Sequence, residues 1–239
     1  MVGLVSDVGL KRTLNEDFAI YLEKDEFKIY VVTDGMGGHN AGEIASKMAA
    51  EQIIKCVGEE FFSTTKEELI EVAIQKSNEI VFEYSKTNET LNGMGTTVTA
   101  CLITKDFIQV ANVGDSSCLA IKNGEIKKIT KDHSLVQELV DSGSITEKDA
   151  VNHPKKNIIT RALGTSRSVN VDIFELKNND YDIYILCSDG LTNELTNEEI
   201  LSIIKEENNY INAAKRLVSL AKEKGGRDNI TVLLFGGEM

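Results

Sequence analysis

The first third of the chain passes from strand-like to helix-like patterns of apolar and polar residues. Residues 18–22 and 27–33 are rich in β-branched and aromatic side chains and flank a polar turn, which predicts a β-hairpin. Residues 42–57 and 66–86 place apolar side chains at helical spacing, which predicts two long amphipathic helices. The side chains predicted to face the core are Ile44, Met48, Ala49, Ile53 and Val57 in the first helix, and Leu69, Val72, Ile80 and Phe82 in the second.

The rest of the chain continues in blocks of strands and helices. Short strand patterns joined by tight turns fill residues 96–130 and predict an antiparallel meander, whereas residues 132–167 are more polar and irregular, with two short helical patterns. The remaining predicted elements are strands at 169–175, 182–188 and 229–235, and helices near 196–206 and 209–223. Such blocks favour an α+β fold in which helices cover the outside of a layered sandwich.

Composition narrows the possible functions. The 239 residues carry 26 Lys plus Arg against 38 Asp plus Glu, and the net charge of -12 would repel a nucleic-acid backbone. The chain has one proline and no stretch dominated by Gly, Ser or one charge sign, so we expect residues 1–239 to form one domain.

Two further features bear on the compartment. The start of the chain lacks the pattern of a signal peptide, and no segment is long and apolar enough to cross a bilayer, so we expect a cytoplasmic protein with no membrane partner. The cysteines occur in apolar surroundings without CxxC pairs, as expected of reduced, buried thiols rather than zinc ligands or disulfides. They are Cys56, Cys101, Cys118 and Cys187.

Candidate chemistry comes from aspartates beside glycine or asparagine at the ends of apolar strand patterns. These are Asp34, Asp115, Asp189 and Asp228. Any one alone has an ordinary explanation, because Asp-Gly is a common turn pair. Strands of one sheet system bring their ends to a common edge, however, and carboxylates gathered there would repel one another unless cations bind. Carboxylate oxygens suit magnesium or manganese, whereas zinc would call for His or Cys ligands.

Six short motifs are spread over nearly the whole chain. They are R-T-L-N-E-D at 12–17, D-G-M-G-G-H-N-A-G-E at 34–43, M-G-T-T at 94–97, V-G-D-S at 113–116, S-D-G-L at 188–191 and G-G-R-D-N-I-T at 225–231. In their order and spacing they resemble the protein phosphatase 2C family, in the form found in bacterial members. The resemblance implies a metal-dependent serine/threonine protein phosphatase. It also implies a four-layer αββα sandwich of two antiparallel sheets flanked by helices, with a manganese or magnesium site at one edge.

The resemblance also implies a role for each matching residue. Asp34 matches a carboxylate that bridges two metals, and the Gly35 carbonyl matches a ligand to one of them. Asp189 and Asp228 match the ligands to the other metal. The other matches are Arg12 as binder of the substrate phosphate, Asp17 with Glu16 as an acidic pair that acts largely through bound water, and Asp115 with Asp189 as holders of a third, weaker metal.

The mechanism that the resemblance implies follows from charge. Two cations lower the pKa of a bridging water, and the resulting hydroxide attacks phosphorus in line. The cations and Arg12 offset the charge on the phosphate oxygens, and no phosphoenzyme forms. We expect the substrates to be proteins phosphorylated by a partner serine/threonine kinase of the same cell, and we expect the phosphatase to be a monomer.

Two positions depart from the family pattern. Met36 stands where some members have a histidine proposed as general acid, so leaving-group protonation stays unassigned. His39 lies nearby, but a residue that caps the following helix is an equally good interpretation. Ser117 stands where an arginine commonly follows the G-D-S triplet. Residues 132–167 resemble the flap that influences substrate choice in this family, and an ordinary surface insertion is the alternative.

Competing functions can be weighed against the same sequence. The G-G-H-N-A-G-E-I segment lacks the Lys and the Ser or Thr of a phosphate-binding P-loop, since Glu43 and Ile44 occupy those positions. A cysteine phosphatase needs an arginine six residues after the nucleophile, and none of the four cysteines has one. Two alternatives stay open: an inactive phosphatase-like binding module, and a two-metal hydrolase of another phosphoester.

Overall fold

Two antiparallel β-sheets form the centre of the computed structural model, which describes residues 1–37, 41–151 and 153–239. The strands are β1 (Val2–Asp7), β2 (Asp17–Glu23), β3 (Phe27–Met36), β4 (Gly95–Thr96), β5 (Val98–Thr104), β6 (Ile108–Val113), β7 (Ser117–Lys122), β8 (Glu125–Lys128), β9 (Asp172–Leu176), β10 (Ile183–Cys187) and β11 (Ile230–Gly236). One sheet has the strand order β1-β11-β10-β7-β8. The other has the order β2-β3-β5-β6-β9, with the short β4 beside β3.

Long helices cover the outer face of each sheet, and short helices lie in the segments that connect the other elements. They are α1 (Ala41–Glu60), α2 (Lys66–Ser85), α3 (Leu135–Asp141), α4 (Glu147–Val151), α5 (Asp189–Thr192), α6 (Asn197–Glu206) and α7 (Tyr210–Lys224). α1 and α2 pack on the β2-β9 sheet through one buried apolar cluster, and α6 and α7 pack on the β1-β8 sheet through a second. A third cluster lies between the two sheets. The four layers confirm the predicted αββα sandwich.

Aromatic and thiol side chains fill the layer between the sheets. Tyr30 of β3 and Phe235 of β11 stack with their ring centroids 3.6 Å apart, so they join the two sheets directly. Both rings are shielded almost completely from solvent, and burying a large apolar side chain stabilises a fold by about 2 to 3 kcal/mol. Cys101 and Cys118 belong to the same layer, and all four cysteines are free and buried, as predicted.

The prediction for α2 was wrong about which face is buried. Of the four side chains assigned to the core, only Leu69 is fully buried, and Ile80 is 41% exposed. The buried face instead includes Ser77 and Asn78. These polar groups are satisfied, because Ser77 Oγ donates to the Ala49 carbonyl at 3.1 Å and Asn78 Oδ1 accepts from the backbone of residue 164 at 2.9 Å. Hydrogen bonding therefore compensates for their burial, and they share the buried face with apolar side chains such as Ile70 and Ile74.

Strand β1 was not predicted at all. It pairs antiparallel with β11, from Val2 opposite Phe235 to Asp7 opposite Ile230. Its sequence alternates only weakly, and its partner strand lies at the other end of the chain, so no local signal marks it. The other predicted strands and helices are present, with ends that differ by a few residues. Within the described ranges, no helix has both the length and the apolar character needed to span a membrane.

The strand directions bring five chain segments to one edge of the sandwich. β3 ends at this edge and its antiparallel neighbour β2 begins there, with Asp17 directly opposite Asp34. β10 ends there and its antiparallel neighbour β11 begins there. Residue 115 follows the end of β6, which runs parallel to β3 in the β2-β9 sheet and therefore ends at the same edge. Topology therefore places the candidate aspartates on a common margin.

Candidate metal centre

A cleft of about 260 Å³ opens at this edge and contains most of the residues predicted for the site. Its lining is formed by Arg12, Glu16, Asp34, Gly35, Met36, Gly37, Thr97, Asp115, Asn157, Ile159, Asp189 and Asp228. Of the eight predicted site residues, only Asp17 is absent from this lining, because it is buried directly behind it. The four strand-end aspartates line the same cleft, as expected for strands that end at a common sheet edge.

The backbone of Asp34 is held by the threonines of the M-G-T-T motif. Its N–H donates to Thr97 Oγ1 at 2.9 Å. Its carbonyl oxygen accepts from Thr96 Oγ1 at 2.9 Å and from the Thr97 N–H at 2.8 Å. Thr97 Oγ1 lies 2.8 Å from Ser116 Oγ, which connects β3 to the segment after β6. These bonds fix the position from which the Asp34 carboxylate enters the cleft.

Gly35 is required by its neighbours. A Cβ atom at this position would lie 2.1 Å from the carbonyl oxygen of Gly42, at the start of α1, so no larger residue fits. The Gly35 N–H donates to the Glu16 carbonyl at 3.0 Å. Close approach of three backbone segments therefore holds Gly35 at the cleft wall, with Glu16 beside it.

Asp189 and Asp228 come from two segments that touch each other. Asp189 begins α5 directly after β10, and its Oδ2 accepts from Asn193 Nδ2 at 2.8 Å. Asp228 precedes β11, and its Oδ1 accepts from the Asn229 N–H at 2.8 Å. A Cβ atom on Gly190 would lie 1.9 Å from the Asn229 carbonyl oxygen, so glycine is what lets these segments meet.

Arg12 is the cationic side chain among the described residues that line the cleft. Its side chain is half exposed, and its Nη2 donates to Asp228 Oδ2 at 2.9 Å. A guanidinium group carries five N–H donors in a fork that matches phosphate oxygens. Contact with one carboxylate oxygen leaves donors of Arg12 available toward the open side of the cleft.

Asn229 is a structural residue of the site that was not predicted from the sequence, although it lies inside the motif at 225–231. Its Oδ1 accepts from the Glu16 N–H at 2.8 Å, and its Nδ2 donates to the carbonyls of Val8 at 3.0 Å and Leu14 at 2.9 Å. Asn229 thus holds both ends of the loop that carries Arg12. The Asp-Asn pair in the motif was the available signal.

The carboxylates of the cleft perturb one another strongly. Burial, followed by repulsion from Asp17 and Asp189, raises the pKa of Asp34 well above its usual range. Burial together with neighbouring carboxylates raises the pKa of Asp115 to about 7 and that of Asp189 to about 6. Burial also raises the pKa of Asp17 to about 7, although Ser188 Oγ donates to its Oδ2 at 2.6 Å. Such shifts mark a place where added positive charge would be stabilising.

The donor set fits a hard divalent cation. Oδ1 of Asp189 and Oδ1 of Asp17 are buried oxygens without a hydrogen-bond partner among the described residues. Within that part of the chain, no group of three or more acidic, histidine or cysteine side chains is arranged so that it could hold a metal ion, so water would have to supply the remaining ligands of a cation bound by fewer side chains. An open cleft with carboxylates on several sides suits magnesium or manganese, because these ions keep several water ligands.

The two departures from the family pattern have different settings. Met36 lines the cleft, so a thioether occupies the position of the histidine seen in some family members. Ser117 is fully buried in β7, opposite Cys187. A long charged side chain at position 117 would therefore have to enter the core. His39 lies outside the described residues.

The chain is similar to known protein phosphatases over most of its length. The family model described as "Protein phosphatase 2C" matches residues 11–231. The serine/threonine phosphatase stp of Listeria welshimeri is 41% identical over 233 residues, covering 96% of this chain and 92% of that protein.

Solved structures of serine/threonine phosphatases have the same fold as this chain. The serine/threonine phosphatase Stp1 from Staphylococcus aureus superposes with a TM-score of 0.90 at 33% identity, covering 100% of this chain and 95% of the other. The catalytic domain of the serine/threonine protein phosphatase PstP, in complex with two manganese ions, has a TM-score of 0.82 at 32% identity, covering 98% and 96% of the two chains. The chain belongs to the protein phosphatase 2C family of metal-dependent serine/threonine phosphatases.

Proposed function

We propose that the cleft at the sheet edge is the catalytic centre and that it binds manganese or magnesium. Asp34 would bind both of two cations, and the Gly35 carbonyl would be a ligand to one of them. Asp189 and Asp228 would hold the other cation. The observation that carries this proposal is the presence of four strand-end carboxylates and one guanidinium in a single cleft.

A third, weaker cation belongs to the same proposal. Asp115 with Asp189 is its site, because these two carboxylates also line the neighbouring cleft, which opens toward residues 132–156. Asp17, which lies opposite Asp34 in the sheet, acts with Glu16 through bound water. Burial of Asp17 behind the cleft wall supports an indirect role of this kind.

The residues of the chain have defined tasks in this mechanism. Bound divalent cations supply an activated water and offset negative charge on a phosphate group. Arg12 binds the phosphate oxygens and orients the ester for in-line displacement. Thr96 and Thr97 keep Asp34 in position, and Asn229 keeps the Arg12 loop in position. Among the described residues no histidine lines the cleft, so no side chain is assigned to leaving-group protonation.

Residues 132–167 act as a flap within one phosphatase domain that spans residues 1–239. Asn157 and Ile159 of this segment line the cleft, and Lys156 Nζ donates to Asn193 Oδ1 at 2.8 Å. Asn193 is also the hydrogen-bond partner of Asp189. The segment is therefore placed to contact a phosphorylated peptide beside the catalytic centre.

The substrates are phosphoproteins, and we assign the modification to a serine/threonine kinase of the same cell. The protein acts in the cytoplasm as a monomer. An inactive binding module is disfavoured, because the relatives are named as phosphatases and every carboxylate matched to the family is present. A hydrolase of small phosphoesters is the alternative that an experiment must separate.

A competition assay tests the proposed substrate class. We expect the protein with Mn²⁺ to hydrolyse phosphothreonine and phosphoserine peptides with a kcat/KM at least about tenfold above that for phosphotyrosine peptides and nucleotide monophosphates, which corresponds to about 1.4 kcal/mol. Free phosphate release and peptide mass change would be measured together. Preferred hydrolysis of the small esters, or binding of phosphopeptide without turnover, would contradict the proposal.

A further inference from the structure

An ion pair between Glu194 and Arg227 joins the two segments that carry Asp189 and Asp228. Glu194 follows α5, and its side chain is only 2% exposed, whereas that of Arg227 is 68% exposed. Its carboxylate accepts three hydrogen bonds from Arg227: from Nε at 2.9 Å and the backbone N–H at 3.2 Å on Oε1, and from Nη2 at 2.9 Å on Oε2. Arg227 is the residue immediately before Asp228.

The hydrogen bonds between Glu194 and Arg227 connect the segment after β10 to the segment before β11, which are already in backbone contact. Asp189 lies five residues before Glu194, with one turn of helix between them. The segment that precedes β11 is bound to Glu194 through the backbone N–H of Arg227 as well as through the guanidinium of Arg227. The bidentate geometry resists both sliding and rotation, because two parallel N–H···O bonds fix an orientation as well as a distance.

The pair is poorly placed for direct chemistry. Neither Glu194 nor Arg227 lines the cleft. The hydrogen bonds from Arg227 lower the pKa of Glu194, so the carboxylate is ionised and its charge is balanced locally by the guanidinium. A balanced pair adds little net field at the cleft, so its contribution there must come from geometry.

We propose that Glu194 and Arg227 are positioning residues that set the separation of Asp189 and Asp228, and thereby the divalent-cation affinity of the centre. This inference rests on the proposed function, because it assumes that Asp189 and Asp228 are metal ligands. Groups that orient metal ligands without touching the metal typically change its affinity by about 10- to 100-fold when they are replaced.

Two substitutions test this role. Arg227→Lys keeps the positive charge but cannot form the fork, and Glu194→Gln keeps the shape but loses the charge. We expect each to raise the Kd for Mn²⁺, measured by isothermal titration calorimetry, by about 10-fold or more. At saturating Mn²⁺ the kcat for a phosphothreonine peptide should return close to that of the unchanged protein.

The matched control is Arg216→Lys. Arg216 on α7 also makes two ion-pair contacts, at 2.7 Å to Glu206 and 2.9 Å to Glu207, but it lines no part of the cleft. Its replacement should leave the Kd for Mn²⁺ unchanged. Thermal unfolding of all three variants separates general destabilisation from an effect on the metal centre, and Arg227→Lys remains informative if Glu194→Gln does not fold.

The outcomes distinguish the two proposals. Unchanged Mn²⁺ affinity in folded Arg227→Lys, with affinity abolished in Asp189→Asn, would overturn the positioning role alone. Unchanged affinity in Asp189→Asn would instead refute the ligand assignment on which the proposed function depends. A rise in Kd for Arg227→Lys equal to that for Arg216→Lys would also overturn the positioning role, since it would reflect a general loss of stability.

Discussion

Replacing Asp34 by asparagine is expected to lower kcat on a phosphothreonine peptide by about 10³-fold or more, a loss of roughly 4 kcal/mol in transition-state stabilisation. Asparagine has nearly the same shape, and the hydrogen bonds that hold residue 34 involve its backbone. The change therefore removes one negative charge from the cleft with little effect on packing. A neutral amide oxygen is a much weaker bridging ligand for hard cations than a carboxylate.

The fold of this variant should be preserved. Asp34 is surrounded by carboxylates whose repulsion contributes to its raised pKa, so removing its charge relieves a strained arrangement. We expect the melting temperature of Asp34→Asn without added metal to equal or exceed that of the unchanged protein. Stabilisation by Mn²⁺ should be smaller, because binding to the folded state is what raises the melting temperature.

Asp106→Asn provides the matched control for this substitution. Asp106 is largely exposed in a turn, and its contact with Lys66 is a 3.3 Å surface ion pair. Such pairs contribute about 1 kcal/mol or less, so neither activity nor melting temperature should change appreciably. A folded Asp34→Asn protein with activity near that of Asp106→Asn would remove Asp34 from the catalytic centre.

Removal of divalent cations has the second large expected effect. With a chelator present, phosphopeptide hydrolysis should fall to the background rate, and excess Mn²⁺ should restore it. The physical reason is that the described lining offers no cysteine, serine or histidine to replace an activated water, and the Thr97 hydroxyl is already hydrogen-bonded to the Asp34 N–H and to Ser116 Oγ. Without cations, the clustered carboxylates would also repel the phosphate dianion.

This experiment needs a control for indirect effects of the chelator. The chelated protein should retain its circular dichroism spectrum, because the fold is built on three apolar clusters rather than on the cleft. Matching the ionic strength with sodium chloride should leave the restored activity nearly unchanged. Hydrolysis that persists after elemental analysis shows the protein to be free of divalent metal would contradict metal-assisted catalysis.

The local pattern of the sequence predicted most elements of the fold, and physical reasons explain the exceptions. β1 stabilises the sheet by pairing with β11, whose residues lie more than 200 positions away, so nothing near Val2 signals a strand. The buried face of α2 includes Ser77 and Asn78, which look like surface residues until their buried partners are known. Periodicity detects apolar stripes, but it does not detect satisfied polar groups.

In the candidate site, likewise, one group of residues could be predicted from the sequence and another could not. Asp34, Asp115, Asp189 and Asp228 could be identified because each lies at a strand end, and strand ends share an edge. The supporting contacts could not, because each joins segments that are distant in the chain. Asn229 holds the loop before β2, and Glu194 holds the residue before Asp228.

The convergence of acidic side chains around shared cations is tested most directly by anomalous X-ray diffraction at the manganese absorption edge, on crystals grown with Mn²⁺. We expect two peaks in the cleft, with Asp34 oxygens about 2.0–2.2 Å from both and with Asp189 and Asp228 bound to one of them. Peaks outside the cleft, or an Asp34 side chain that binds neither ion, would contradict it.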